Sequence, residues 1–144
     1  MQVETNDSNI TVVNDSYNAN PESVRAALSA VASMSTSGRR WAVLGEMREL
    51  GALAQDLHAQ VGSFAAGLGI DRLICVGEGA RSIDEGAKKV AHWRGESTWV
   101  ATPDDATQML FPLVEPGDII LVKASRAVGL ETVAADALKI GVRS

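Results

Sequence analysis

The sequence predicts an α/β protein: a Rossmann-like, open, mainly parallel sheet of about five to six strands with helices on both faces. Three observations predict it. Short β-branched runs alternate with longer stretches of helical spacing from one end of the chain to the other. The runs are apolar almost throughout, as strands covered on both faces are. The 144 residues contain no repeat, low-complexity tract or linker that would divide them.

The elements follow in order. The segment "MQVE" supplies an extra edge strand, and "NITVVND" (9–15) is the first apolar strand. At "NDSYNANPES" (14–23) the chain turns into a helix. Asn20 is the N-cap, Pro21 suits the first helical position, and Glu22 favours the positive end of the helix dipole. Val24, Ala27, Leu28 and Val31 form that helix's buried face. The strand "RWAVLGE" (40–46) leads to a helix whose predicted buried face is Leu53, Leu57, Val61, Phe64 and Leu68. After "RLICVG" (72–77), Gly77 and Gly79 permit a tight turn. A shorter helix over 80–92 then buries Ile83, Ala87 and Val90. "STWVA" (97–101) precedes a helix with Ala106, Met109, Leu110 and Leu113 inward. "DIILVK" (118–123) precedes one with Leu130, Val133, Ala134, Ala137 and Leu138 inward.

Composition narrows the function classes. A net charge of -5 without a basic stripe argues against nucleic acid as main partner. Apolar runs such as residues 119–122 fall far short of the roughly 20 residues that span a membrane. The start lacks a signal peptide's basic end and apolar stretch, so the reading is a cytoplasmic protein without a membrane partner. Cys75 is the only cysteine, which excludes an internal disulfide; within "RLICVG" it reads as a small core residue.

In sheets of this kind ligands gather at the carboxyl ends of the strands. Function is therefore expected in the loops at 14–22, 45–52, 77–80, 102–104 and 123–130. Capping accounts for Asn20, Pro21 and Glu22 but not for Asp15, Tyr17 and Asn18. An Asp there can accept hydrogen bonds from vicinal ribose hydroxyls and amides can read a base edge, so a ligand site and a purely structural corner both stand. Lys123, Ser125 and Arg126 end the last strand just before a helix, either as an anion site or as a solvated basic pair. Glu46, Arg48 and Glu49 read on composition as a solvated loop. His58 reads as a packed or half-exposed structural histidine, and His92 as surface.

"NDSYNANPES" resembles the start of the C-terminal domain of the Mur ligases. Two further stretches match that family in order and spacing: "VLGEMRELG" (43–51), with His58 and Gly62 after it, and "VKASRAVGLE" (122–131). The similarity covers essentially the whole chain, so residues 1–144 are expected to be that single domain. Relatives that add single amino acids look like Asp-Tyr-Ala-His or Gly-Ala-His at the first corner. Tyr17-Asn18-Ala19-Asn20 favours the branch that adds D-alanyl-D-alanine to UDP-N-acetylmuramoyl-tripeptide. One departure is Ala124, where the family usually has glycine.

The resemblance implies an ATP-dependent amide-bond-forming ligase of peptidoglycan precursor synthesis, working through an acyl-phosphate. ATP and Mg2+ would be bound mainly by a central domain. This chain has no G-x-x-x-x-G-K-[ST] loop, so by itself it is expected to be inactive and to carry no metal site and no catalytic residue of its own. It would serve its own central and N-terminal domains, within a monomer, as a cover over ATP. Asp15, Asn18 and Asn20 carry over as adenosine contacts. Glu46, Glu49, Lys123, Ser125 and Arg126 carry over as candidates for D-alanyl-D-alanine, with Tyr17, His58 and Glu131 at the margin of the set.

Two rivals remain. "GEGARS" (77–82) half-fits a dinucleotide-binding turn, which would make the chain a stand-alone nucleotide or dinucleotide module, but a serine replaces the third glycine. A receiver-like domain would need clustered carboxylates for magnesium, and Asp15 with Asp104 and Asp105 is a poor version of that.

Overall fold

The computed structural model describes residues 1–16, 19–125 and 128–141. Six strands form one sheet: β1 (Gln2–Thr5), β2 (Thr11–Asp15), β3 (Arg40–Gly45), β4 (Arg72–Val76), β5 (Glu96–Val100) and β6 (Ile119–Lys123). Their spatial order is β1-β2-β6-β3-β4-β5. Only β1 runs antiparallel, on the edge beside β2, while β2 to β6 pair in parallel. The helices are α1 (Pro21–Ala32), α2 (Ala54–Gly67), α3 (Arg81–Lys88), α4 (Pro103–Leu113) and α5 (Glu131–Ala137).

Two cores sandwich the sheet. On one face α1, α2 and α3 pack on Val13, Ala42, Leu44, Leu73, Cys75 and Leu121. On the other, α4 and α5 pack on Val12, Trp41, Val43, Ile74, Ile120 and Val122. Adjacent residues of the central strands therefore feed opposite cores, which is why those strands read as continuous apolar runs.

Helix α1 starts as expected. Asn20 Oδ1 accepts from Ser23 N at 2.8 Å and Asn20 N donates to Ser23 Oγ at 3.1 Å, a reciprocal capping box followed by Pro21. Its four predicted inward residues are all buried.

Helix α2 departs from expectation. Its buried residues are His58, Val61, Gly62, Ala65 and Ala66, whereas Leu53 lies outside the helix in a 3-10 turn and is 60% exposed. Small residues face inward because α2 and α3 approach backbone to backbone. A Cβ on Gly62 would overlap the Ile83 carbonyl, and one on Gly86 the Ala59 carbonyl. Phe64 and Leu68 pack at the margin of this contact. Helix α3 ends at Lys88, and His92 takes a left-handed conformation (φ 69) that no helix can continue through. In α4, Ala106 and Leu110 are buried but Leu113 is exposed.

Asp118 locks the opposite, amino-terminal end of the sheet. Its buried carboxylate accepts from Arg39 N at 2.8 Å, Trp41 Nε1 at 2.9 Å and Glu115 N at 3.0 Å, so every neighbouring donor is answered.

Candidate functional site

The strand order creates a crevice. The chain leaves β2 and β3 towards α1 and α2 on one face, but leaves β6, which lies between them, towards α5 on the other. Loops diverging from neighbouring strands open a space at their carboxyl ends, where parallel sheets take ligands. The register places Asp15 opposite Lys123, and Lys123 opposite Leu44, so the ends of β2, β6 and β3 lie side by side.

Lys123 is 2% exposed, and its Nζ donates to Asp15 Oδ2 at 2.6 Å. The Asp15 side chain keeps 26% of its surface exposed, with the Met1 ammonium 3.9 Å from Oδ1. One carboxylate oxygen is thus anchored inside, on the buried Lys123 ammonium. Asn14, one residue earlier, is spent on the corner itself: its Oδ1 accepts from Ser16 Oγ at 2.7 Å and Ser16 N at 3.2 Å. The Asn20 carbonyl oxygen of the side chain is likewise committed to its cap. Tyr17 and Asn18 lie outside the described residues.

The loop after β3 is held from two sides. Ser125 N donates to the Glu46 carbonyl at 3.2 Å, and Arg48 N donates to Ser125 Oγ at 3.0 Å. From α2, His58 Nε2 accepts from Met47 N at 2.9 Å, so Nδ1 carries the proton and donates to the Ala54 carbonyl at 2.6 Å. His58 is buried and both ring nitrogens are used, which makes it a staple for the loop. Glu46 is half-buried, while Arg48 and Glu49 are exposed, Glu49 with a left-handed backbone (φ 64).

The loop after β6 differs from expectation in two respects. Lys123 points into the protein towards Asp15 and not outward beside Ser125. Helix α5 is only seven residues long, Leu130 at its start makes no side-chain cap, and Glu131 in its first turn is acidic and exposed. Arg126 lies outside the described residues. Ser125 is 6% exposed, and its hydroxyl retains a proton to donate after accepting from Arg48. Ala124 is fully buried, and a Cβ on Gly45 would lie 2.7 Å from its methyl, so the two small residues share one narrow space.

The "GEGARS" turn does not build a dinucleotide cradle. Gly77 has φ 92, the conformation the turn requires, and the chain continues through a 3-10 turn (Glu78–Ala80) into α3. Among the described residues no group of three histidine, cysteine or acidic side chains could hold a metal ion, and no helix is long and apolar enough to cross a membrane.

Sequence reasoning found Asp15, Lys123, Glu46 and Ser125 but assigned them to two separate tasks. The structure joins Asp15 to Lys123 and the main chain of Ser125 to that of Glu46. The sequence did not reveal the Asp15–Lys123 pair, whose members are 108 positions apart. Strand order is the one piece of information that would have joined them.

Residues 1–126 match the family described as Mur ligase, glutamate ligase domain. The chain is 44% identical over 156 residues to the UDP-N-acetylmuramoyl-tripeptide--D-alanyl-D-alanine ligase of Mycobacterium tuberculosis, covering 96% of this chain and 30% of that protein. Among solved structures it is similar to MurF from Acinetobacter baumannii, with a TM-score of 0.83 and 28% identity over 96% of this chain and 30% of that one. It is also similar to the MurF ligase from Thermotoga maritima in complex with ADP, with a TM-score of 0.79 and 27% identity over 99% of this chain and 31% of that one. The chain thus spans about 30% of the length of the proteins it resembles. With the family match running over residues 1–126, the chain belongs to the Mur ligase family, in its glutamate ligase domain.

Proposed function

We propose that this chain is the C-terminal domain of an ATP-dependent ligase that joins D-alanyl-D-alanine to UDP-N-acetylmuramoyl-tripeptide, acting in the cytoplasm and as a monomer. Relatives carrying that name, and a structural neighbour holding ADP, support the reading. The observation that carries it is the meeting of Asp15 with Lys123, and of the Ser125 and Glu46 main chains, at the carboxyl ends of β2, β6 and β3.

The work of such a domain is placement. A central domain outside this chain would bind ATP and Mg2+ and form the acyl-phosphate, since residues 1–144 contain no phosphate-binding loop. Asp15, with one oxygen fixed by Lys123, presents the other to ribose hydroxyls, and Asn18 and Asn20 complete the cover over the adenosine. Holding the dipeptide amine against the acyl-phosphate contributes through proximity alone, without a catalytic side chain here. Glu46 and Glu49 supply negative charge for the dipeptide ammonium, and Ser125 and Arg126 supply donors for its carboxylate. Lys123 acts on the nucleotide through Asp15 and not on the dipeptide directly, because its ammonium is buried against that carboxylate. His58 holds the Glu46 loop and takes no part in the chemistry.

The test is phosphate release with UDP-N-acetylmuramoyl-tripeptide, D-alanyl-D-alanine and ATP, by the full-length protein carrying this domain and by residues 1–144 alone. Release dependent on the dipeptide is expected from the full-length protein only. Turnover by the isolated chain, or indifference of the full-length protein to the dipeptide, sinks the reading.

A further inference from the structure

Glycine at position 79 has no backbone reason to be there. Gly77 needs its positive φ of 92, but Gly79 does not lie in the left-handed region, and any L-residue could adopt its conformation. The three atoms nearest to a Cβ at 79 would all belong to one side chain, Glu46, with Cγ in overlap, Cδ at 2.5 Å and Oε2 at 2.8 Å. Glu46 crosses from the end of β3 over the turn that follows β4, so two loops widely separated in sequence share this contact. Its main chain is tied to the neighbouring loop, because its carbonyl accepts from Ser125 N at 3.2 Å. Among the described residues its half-buried carboxylate has no hydrogen-bond or ion-pair partner. A carboxylate laid along a protein surface without a partner has acceptor capacity for a cationic ligand.

We infer that Gly79 is a positioning residue for Glu46: the missing side chain leaves the groove in which the carboxylate lies, aimed at the ammonium of the incoming dipeptide. The inference rests on the role proposed above for Glu46. A methyl group at 79 forces the flexible carboxylate aside and leaves the fold intact, since the three atoms nearest to it all belong to the Glu46 side chain.

The experiment is a double-mutant cycle in the full-length protein with Gly79→Ala, Glu46→Gln and the double variant, measuring KM for D-alanyl-D-alanine, KM for ATP and melting temperature. Gly79→Ala is expected to raise KM for the dipeptide about tenfold, the scale of one charge-assisted hydrogen bond, with KM for ATP and melting unchanged. In the Glu46→Gln background it is expected to add nothing. A defective Glu46→Gln beside an unaffected Gly79→Ala overturns the inference and leaves the role of Glu46 standing. Additive effects, or a loss of melting temperature with KM for ATP raised alongside, also overturn it, because Gly79 then acts on the turn itself. If Glu46→Gln is without effect, the role of Glu46 falls and the inference falls with it.

Discussion

Lys123 Nζ donates to Asp15 Oδ2 at 2.6 Å, tying together the last residues of two neighbouring parallel strands at the mouth of the crevice. The lysine is 2% exposed and the aspartate 26%, so the pair is anchored within the protein and presented from one side only. An ion pair of this kind fixes geometry more than it adds stability, because desolvating the ammonium offsets much of the attraction.

In the full-length protein, Lys123→Met and Asp15→Asn are therefore each expected to raise KM for ATP by roughly tenfold, with the double variant no worse than either single one. Methionine fills the buried stem, but Asp15 is left without its partner while only 26% exposed, so stability is expected to fall by about 2 kcal/mol. Steady-state kinetics with ATP and with D-alanyl-D-alanine varied separately check this. A defect confined to the dipeptide would return Lys123 to the dipeptide site.

His58 bonds the Met47 amide and the Ala54 carbonyl at once. His58→Ala is expected to cost about 2 kcal/mol, from lost packing and a donor left without its acceptor. Urea unfolding gives the magnitude. Hydrogen exchange at the Met47 amide should accelerate beyond the change seen in the strands, because the loop is released locally.

Two glycines of one helix should respond with opposite sign. Gly62→Ala drives a methyl into the Ile83 carbonyl and is expected to destabilise by about 2 kcal/mol. Gly67 has nothing within 4 Å of its would-be Cβ, so Gly67→Ala is expected to stabilise by about 0.5 kcal/mol. Thermal melting of the two variants distinguishes them directly.

Cys75 is buried beside Ser97, whose hydroxyl donates to Asp84 at 2.5 Å. Burial first, and then the negative charge of Asp84, push its thiol pKa well above the ordinary 9.0. The folded state therefore holds the proton more tightly than the unfolded chain. This contribution to stability is complete below about pH 9 and diminishes as pH rises beyond it, because the unfolded thiol ionises first. Thiol labelling at pH 8 should be negligible in the native protein and rapid in denaturant, and a Cys75→Ala variant should show a flatter fall in stability above pH 9.

Much of this could be seen in the chain alone. The apolar runs specified the five parallel strands β2 to β6, and the Asn20–Pro21 pair specified the start of α1, since both signals are local: strand burial on two faces and helix capping act within a few residues. The corner motifs also located the loops that surround the crevice. The buried face of α2 was less legible, because hydrophobic periodicity marks the largest apolar residues as inward. There a close helix contact instead selected Gly62, Ala65 and Ala66 and left Leu53 in solvent.

The sequence by itself determined the α/β alternation and the family, and pointed to the loops at the carboxyl ends of the strands, because those depend on residue types in short range. Only the tertiary structure decided which of the polar residues meet. The order β2-β6-β3 joins Asp15 to Lys123, and the adjacency of two loops lays Glu46 along Gly79. The physical reason is that hydrogen bonds and steric exclusion act over a few ångströms, and such contacts between distant segments exist only after the sheet has chosen its neighbours.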